Sequence, residues 1–141
     1  MWPITYQRKV RFSDTDAQGI VFNANYFVYF DDALTDLLEL AGLTMDEMHK
    51  HGYDVVTAHA AANFRMAARL GDELVTGIRL ERIGSTSITF DIRVWKSDED
   101  TLVCDGTVVQ VLVDPATLQP RPVPDHFADR MAAIHSDPIA R

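Results

Sequence analysis

The chain has 141 residues, of which 47% are apolar and 24% are charged, and its formal net charge is −8 at pH 7. This length and composition predict a single globular domain, residues 1–141, and exclude a largely disordered chain. The acidic balance excludes a nucleic-acid partner, because there is no surplus of Lys and Arg to neutralise phosphates.

The first predicted element is a β-strand over residues 4 to 12. Its apolar side chains alternate with polar ones, and the apolar face carries Ile4, Tyr6, Val10 and Phe12. This alternation is typical of a strand with one buried face, although Arg8 falls on the apolar side and interrupts it.

A helix is predicted next. Apolar side chains recur at intervals of three and four residues from Phe27 to Ala41, so they line one side of a helix. Asn23 is the expected N-cap, and Gly42 is the expected glycine just past the carboxyl end.

Four further strands are predicted from alternating patterns within residues 58–64, 74–83, 88–94 and 102–113. Four of the six prolines lie between positions 115 and 124, so the last strand should end there. Asp125 is then expected to cap a short helix. That helix carries Phe127, Met131 and Ile134.

This order of elements predicts an α+β fold, with a curved, antiparallel, five-stranded sheet around one long central helix. Successive strands joined by short turns pair antiparallel, and a single long helix covers the apolar face of such a sheet. We place the alanine-rich strand at 58–62 under the helix, because small side chains allow a helix to approach closely.

The segment with the clearest chemical pattern is FSDTDAQGIVFNANY, residues 12–26, which contains Asp14, Asp16 and Gly19. A calcium loop of the EF-hand type shares this D-x-D-x-x-G start, but it requires a bidentate Glu at its twelfth position, where this chain has Asn25. It also requires a helix before the loop, where a strand is predicted here. We therefore predict no metal site.

Two other interpretations of the loop remain. Asp and Gly are common turn residues, and support of a turn is a sufficient role for Asp14. Asp16 stands between the apolar Ile20-Val21-Phe22 segment and the amino end of the predicted helix. There, backbone N–H groups can polarise a carbonyl oxygen while a carboxylate attacks the carbon or activates water.

The segment, together with the order of elements over nearly the whole chain, resembles the hot-dog-fold thioesterases, specifically the 4-hydroxybenzoyl-CoA thioesterase group of acyl-CoA hydrolases. The resemblance extends to Gly-Asp-Glu-Leu at 71–74, which opens a sheet strand in that group. It implies that this chain hydrolyses an acyl-CoA to a free acid and CoA without a cofactor. It also implies a homodimer or homotetramer.

The resemblance also implies site residues. Asp16 corresponds to the catalytic aspartate, either as nucleophile or as general base, and the backbone amide of Asn23 corresponds to the oxyanion donor. Asp31 corresponds to an acidic helix position near the acyl pocket. The other positions carried over as substrate-binding are Gly19, Asn25 and Tyr26.

Several alternatives stay open on the sequence alone. The acyl carrier could be a carrier protein instead of CoA, because the basic candidates for the CoA phosphates do not form a cluster. Those candidates are Arg65, Arg69, Arg82 and Lys96. A non-catalytic acyl-CoA-binding protein of the same fold is a rival, although no output module fits in the chain. An acyl-thioester dehydratase is another, but its His is absent from the loop.

The chain lacks the features of exported and membrane-spanning proteins. Its start, MWPITYQRKV, contains no apolar signal region, and no run approaches 18 apolar residues. The single cysteine, Cys104, has no partner for an internal disulfide and lies in an apolar run, which indicates a core residue rather than a nucleophile. We expect a soluble, cytoplasmic protein without a membrane partner.

Overall fold

A computed structural model describes Trp2, residues 4 to 97 and residues 101 to 135. The helices and strands follow one another in the order β1 (Ile4–Lys9), α1 (Asn25–Leu40), α2 (Met45–Lys50), β2 (Asp54–Phe64), β3 (Glu73–Ile83), β4 (Ser87–Lys96), β5 (Thr101–Val113) and α3 (Asp125–Ile134). None of the helices in the described residues is both long and apolar enough to cross a membrane.

The five strands form one antiparallel sheet in the order β1-β3-β4-β5-β2, and α1 packs on its inner face. The predicted sheet and central helix are therefore confirmed. Along β4, Ile88, Phe90, Ile92 and Val94 are all fully buried, because every second residue of a strand points to the same face. Burial of each such side chain stabilises the fold by about 1.5–3 kcal/mol.

The prediction that the alanine-rich strand lies under the helix is wrong. Residues 56 to 61 of β2 are exposed, because β2 is an edge strand beyond the main contact with α1. The helix lies closest to β3 and β1, and it reaches β5 through the Phe30 ring, which packs on the backbone at Gly106. A Cβ atom there would lie 2.6 Å from the Phe30 ring and 2.4 Å from the Ala61 carbonyl oxygen, so no larger residue fits without a shift.

The predicted carboxyl end of α1 agrees with the structure, and the predicted amino end does not. Gly42 follows the helix with φ +71°, the left-handed conformation that favours glycine. The N-cap, however, is Ala24 and not Asn23, and no side chain caps the first turn. The predicted Asn23 cap is wrong by one residue, since the chain makes a tight turn from Phe22 to Asn25 before the helix begins.

The short helix α2 was not predicted. Its N-cap Thr44 accepts a hydrogen bond from the Glu47 N–H at 3.3 Å. The segment Thr44-Met45-Asp46-Glu47 matches the S/T-x-x-E pattern of a capping box, so a local signal for this helix is present in the sequence.

The predicted C-terminal helix is confirmed as α3, but the expected Asp125 cap is wrong by one residue, because Pro124 is the N-cap and Asp125 is the first residue of the helix. Phe127 and Met131 are buried against the core. The Arg130 guanidinium donates hydrogen bonds to the Gly42 carbonyl at 2.6 Å and to Glu47 at 3.2 Å, and so ties α3 to α2.

Candidate active site

Hydrogen bonds to the Asp14 carboxylate hold the loop between β1 and α1 in place. This carboxylate is 5% exposed and accepts hydrogen bonds from the Arg8 guanidinium and from the Arg11 N–H, both at 2.8 Å. Burial by itself raises the pKa of Asp14, but these hydrogen bonds outweigh it and hold that pKa below its usual value. The break that Arg8 makes in the β1 pattern is thus explained, because Arg8 pairs with Asp14 inside the fold.

Asp16 lies two residues further on and has a freer carboxylate. Its Oδ1 accepts one hydrogen bond, from the Gln18 N–H at 2.9 Å, and no side chain of the described residues binds it. Its backbone is fixed, because its N–H donates to the Ile20 carbonyl at 3.0 Å and its carbonyl accepts from the Gly19 N–H at 2.9 Å. The side chain is partly exposed. Asp16 therefore has a fixed backbone and a carboxylate whose remaining lone pairs are free to bind a substrate or water.

Asp16 opens onto a cavity of about 340 Å³ that also contains Asn23 and Tyr26. The structure thus brings together three of the predicted site residues. The opposite wall is formed by residues 64 to 67, among them Phe64 and Arg65. Sequence reasoning missed this wall, since nothing in the pattern links the segment after β2 to a loop almost fifty residues earlier.

Backbone donors face this region at the start of α1. Among the described residues, no acceptor binds the N–H groups of Asn23 or Ala24, whereas the N–H groups of Phe22, Asn25 and Tyr26 all donate to carbonyls of the loop or first turn. The first N–H groups of a helix lack intrahelical partners and carry the positive end of the helix dipole. Two such donors at the head of a 16-residue helix can polarise a carbonyl oxygen.

Two of the predicted substrate-binding residues do not line this cavity. Gly19 makes the turn after Asp16 with φ +76°, which other residues rarely adopt. The Asn25 side chain donates a hydrogen bond to the Asp14 carbonyl at 2.8 Å, so it connects helix and loop. The described contacts give both residues a structural role, and their contact with substrate stays a prediction.

Asp31 lies one to two turns further along α1, where two more cavities follow the groove between α1 and β2. The first cavity, of about 360 Å³, contains Phe30, Asp31 and Ala60, and the second, of about 320 Å³, contains Asp31, Leu38 and Val55. Asp31 is therefore at a groove with apolar walls, as an acyl pocket requires, but away from the cavity at Asp16. Its contact with an acyl group stays a prediction.

Of the other reactive side chains predicted from the sequence, Cys104 and Lys96 lie outside this cavity and Arg65 lines it. Cys104 is fully buried, and burial raises the pKa of its thiol to about 12, so it is a core residue as predicted. Of the basic candidates, Lys96 lies 3.5 Å from Asp72, and Arg65 forms an ion pair with Asp105 at 2.9 Å while lining the cavity of Asp16.

Within the described part of the chain, no group of three or more His, Cys, Asp or Glu side chains is arranged to hold a metal ion. The histidines are dispersed over α2, β2 and the α3 region, and none of them lines the cavity at Asp16. Among the described residues that line this cavity, the ionisable side chains are Asp16, Tyr26 and Arg65. Arg65 is paired with Asp105, and burial raises the pKa of the Tyr26 phenol, so Asp16 is the available base.

Comparison with known proteins gives a consistent result. A family model described as the thioesterase-like superfamily matches residues 10–131. A putative esterase from Aquifex aeolicus is 34% identical over 96 residues, which cover 68% of this chain and 75% of that protein. An acyl-CoA thioester hydrolase, YbgC, from Escherichia coli O6:H1 is 28% identical over 123 residues, which cover 87% of this chain and 88% of that protein.

Among solved structures, a thioesterase from Thermus thermophilus in complex with coenzyme A and zinc superposes with a TM-score of 0.84. It shares 24% identity, and the match covers 98% of both chains. The predicted hot-dog fold is thereby confirmed.

Proposed function

This chain belongs to the thioesterase-like superfamily and is an acyl-CoA thioester hydrolase, and from that premise we propose that Asp16 and the amide groups at the start of α1 carry out the hydrolysis. The observation that carries the proposal is a single cavity containing both the partly free carboxylate of Asp16 and Asn23, whose N–H has no acceptor among the described residues.

The proposed geometry divides the work between two parts of the chain. The N–H groups of Asn23 and Ala24 hold the thioester oxygen and stabilise the negative charge that develops on it. Asp16 then either takes a proton from water as that water attacks the carbonyl carbon, or attacks the carbon itself and forms an anhydride that water hydrolyses. Either route breaks the C–S bond and releases the acid and the CoA thiol.

The contrast between Asp14 and Asp16 supports the choice of carboxylate. Asp14 is buried, and each of its carboxylate oxygens already accepts a hydrogen bond, one from the Arg8 guanidinium and one from the Arg11 N–H, so it is not open to a substrate. Asp16 accepts one backbone hydrogen bond and faces the cavity. A nucleophile or base needs an unoccupied lone pair directed at substrate, and of the two only Asp16 meets this condition.

We further propose that the chain acts as a homodimer or homotetramer in the cytoplasm, where acyl-CoA is available. The exposed β2 edge supports the assembly. Strand β2 pairs with β5 on one side, and no other described strand pairs with its second side, so a row of backbone donors and acceptors faces outward. Proteins rarely leave so long an edge strand uncovered.

The test is a matched pair of variants, Asp16→Asn and Asp14→Asn, assayed by release of free thiol from a panel of acyl-CoAs. Asn is nearly isosteric with Asp but can neither take a proton nor form an anhydride. Loss of a general base costs about 10²- to 10⁴-fold, so we expect kcat of Asp16→Asn to fall at least 100-fold with little change in KM. Asp14→Asn should fold less stably but keep its activity.

The opposite pattern would contradict the proposal. If Asp14→Asn is inactive in its folded state while Asp16→Asn keeps more than about a tenth of the wild-type kcat, the chemistry belongs to the other carboxylate. Circular dichroism of both variants, recorded at the assay temperature, separates loss of catalysis from loss of fold.

A further inference from the structure

Three buried side-chain polar atoms have no hydrogen-bond partner among the described residues, namely Arg8 Nε, Tyr29 OH and Gln110 Oε1, and of these only Gln110 lines a cavity described above. Gln110 lies on the inner face of β5 between Val108 and Leu112, where alternation predicts an apolar side chain, and it is 5% exposed. Its Oε1 atom is buried and has no hydrogen-bond partner among the described residues. A buried acceptor without a partner costs about 1–3 kcal/mol, so its presence in a core needs a reason.

Gln110 lines the cavity of about 320 Å³ between α1, α2 and β2. The apolar walls of this cavity come from side chains on both helices and on the edge strand, namely Leu34, Leu38, Leu43, Met48 and Val55. A cavity with apolar walls and a few polar groups is the usual form of a small-molecule site, in which the polar groups fix orientation.

This cavity is the last of three that follow one another along α1 and β2, starting from the cavity at Asp16. The cavity of Asp16 contains Tyr26 and Phe64, the next contains Phe27 and Ala60, and the one at Gln110 contains Leu38 and Val55. Along this series the residue numbers rise on α1 and fall on β2, because the groove runs between the two elements and they run in opposite directions. The second and third cavities share Asp31 and Leu34.

The length of the groove sets the size of the ligand. Leu34 lies eleven residues after Asn23, which corresponds to about 16 Å along a helix at 1.5 Å per residue. An extended chain advances about 3.5 Å for every three backbone atoms, so a chain that starts at the Asn23 amide needs roughly 14 atoms to reach the Gln110 cavity.

We propose that the groove takes a long acyl chain whose far end carries a hydroxyl group, and that the Gln110 amide turns toward the cavity and selects such chains by accepting a hydrogen bond from that hydroxyl. Three carboxylates, Asp31, Glu39 and Asp54, also line the cavity and disfavour a chain that ends in a carboxylate. A terminal ammonium group would be attracted, but its desolvation costs far more than that of a neutral hydroxyl.

This inference rests on the proposed function for the position of the thioester, so its test measures binding and not turnover. The probes are two non-hydrolysable thioethers of CoA, one with a tetradecyl chain and one with a 14-hydroxytetradecyl chain. A neutral hydrogen bond contributes about 0.5–1.5 kcal/mol, so wild-type protein should bind the hydroxylated probe about two- to tenfold more tightly. A hexyl and 6-hydroxyhexyl pair, too short to reach the cavity, should show no such preference.

The variant is Gln110→Met, which keeps the size of the side chain and removes its amide. It should bring the preference to one or below, because the hydroxyl is then buried without a partner. Gln119→Met is the matched control, since Gln119 is exposed and lies outside the cavity, and it should keep the wild-type preference. If Gln110→Met does not fold, Gln110→Asn, whose amide is one methylene shorter, should weaken the preference.

Two results would overturn the inference: equal affinity of wild-type protein for both long probes, or an unchanged preference in folded Gln110→Met. A rise in Tm of Gln110→Met with an unchanged preference would show that Gln110 is a buried polar residue without a ligand. A preference that depends on Gln110 in a protein that hydrolyses no acyl-CoA would uphold the inference and reject the proposed hydrolysis.

Discussion

Two aspartates separated by one residue occupy different environments, and this difference is set at the scale of single side chains. Asp14 points into the fold, where Arg8 and the Arg11 N–H bind it, and Arg8 also lies over the Tyr29 ring with its guanidinium carbon 4.9 Å from the ring centre. Asp16 points to a cavity. The first residue therefore holds the loop, and the second is available to a substrate.

The stability contributed by Asp14 should depend on pH. Because its pKa is lowered in the folded state, its contribution is fully present above its unfolded pKa of about 3.9 and is lost as the pH falls through the folded value. We expect Asp14→Asn to lose about 1–3 kcal/mol of unfolding free energy at pH 7, because an amide replaces the charged acceptor of Arg8.

Thermal melts of wild type and Asp14→Asn between pH 7 and pH 2.5 measure this effect, with Asp16→Asn as the control. The difference in Tm between wild type and Asp14→Asn should be largest near neutral pH and should shrink below about pH 4. A difference that stays constant down to pH 2.5 would mean that the charge of Asp14 does not stabilise the loop.

At the scale of elements, the position of α1 on the sheet decides where the site lies. The helix packs mainly on β3 and β1, and its Phe30 ring reaches β5 at Gly106, where a missing side chain makes room for it. Gly42 ends the helix, and α2 and α3 close the far end of the groove through Arg130. At the amino end of α1, Asn23 lines the cavity together with Asp16, and its N–H has no acceptor among the described residues.

Gly106→Ala should test this contact. The added Cβ would overlap the Ala61 carbonyl oxygen and the Phe30 ring, and overpacking of this kind costs about 1–3 kcal/mol. The corresponding fall in Tm is about 3–12 °C for a chain of this size.

Gly84→Ala is the control for that substitution, because the added methyl group there comes within 3.0 Å only of the Ser87 Oγ atom, which can rotate away. A Gly106→Ala protein as stable as Gly84→Ala would show that the helix does not approach the sheet as closely as described.

At the scale of the whole molecule, the outer edge of β2 has backbone groups that no described strand of the same chain pairs with. Val56 is 38% exposed, and the small side chains that follow it are exposed on both faces of the strand. If β2 pairs with its own copy across a two-fold axis, the two sheets become one continuous sheet with no open edge at that side.

Light scattering after size-exclusion chromatography should therefore give two or four times the chain mass of 15.8 kDa. The double variant Ala60→Lys/Ala61→Lys places like charges opposite each other near the middle of the pairing strands and should be monomeric. Thr5→Lys, on the other edge strand β1, should keep the wild-type mass. A monomeric wild-type protein would reject this assembly.

The sequence by itself determined the elements whose signals are local. Alternation located all five strands, the spacing from Phe27 to Ala41 located α1, and Gly42 marked its end, because each of these patterns reflects the geometry of a few neighbouring residues. The predicted end of the first strand at Phe12 is wrong, since β1 ends at Lys9 and the Phe12 side chain is 81% exposed. The D-x-D-x-x-G segment identified the candidate loop in the same way. Helix α2 also had a local signal at Thr44 and Glu47, which the looser pattern around it obscured.

Only the tertiary structure decided which distant residues meet. The alanine-rich strand alternates as an inner strand does, but its place at the sheet edge follows from the pairing of β4 with β5 and of β5 with β2. The wall of the Asp16 cavity at residues 64–67 and the unpartnered Gln110 amide likewise depend on long-range packing. A strand pattern specifies which face is apolar, but neighbours in the sheet and the crossing of the helix decide which positions are covered.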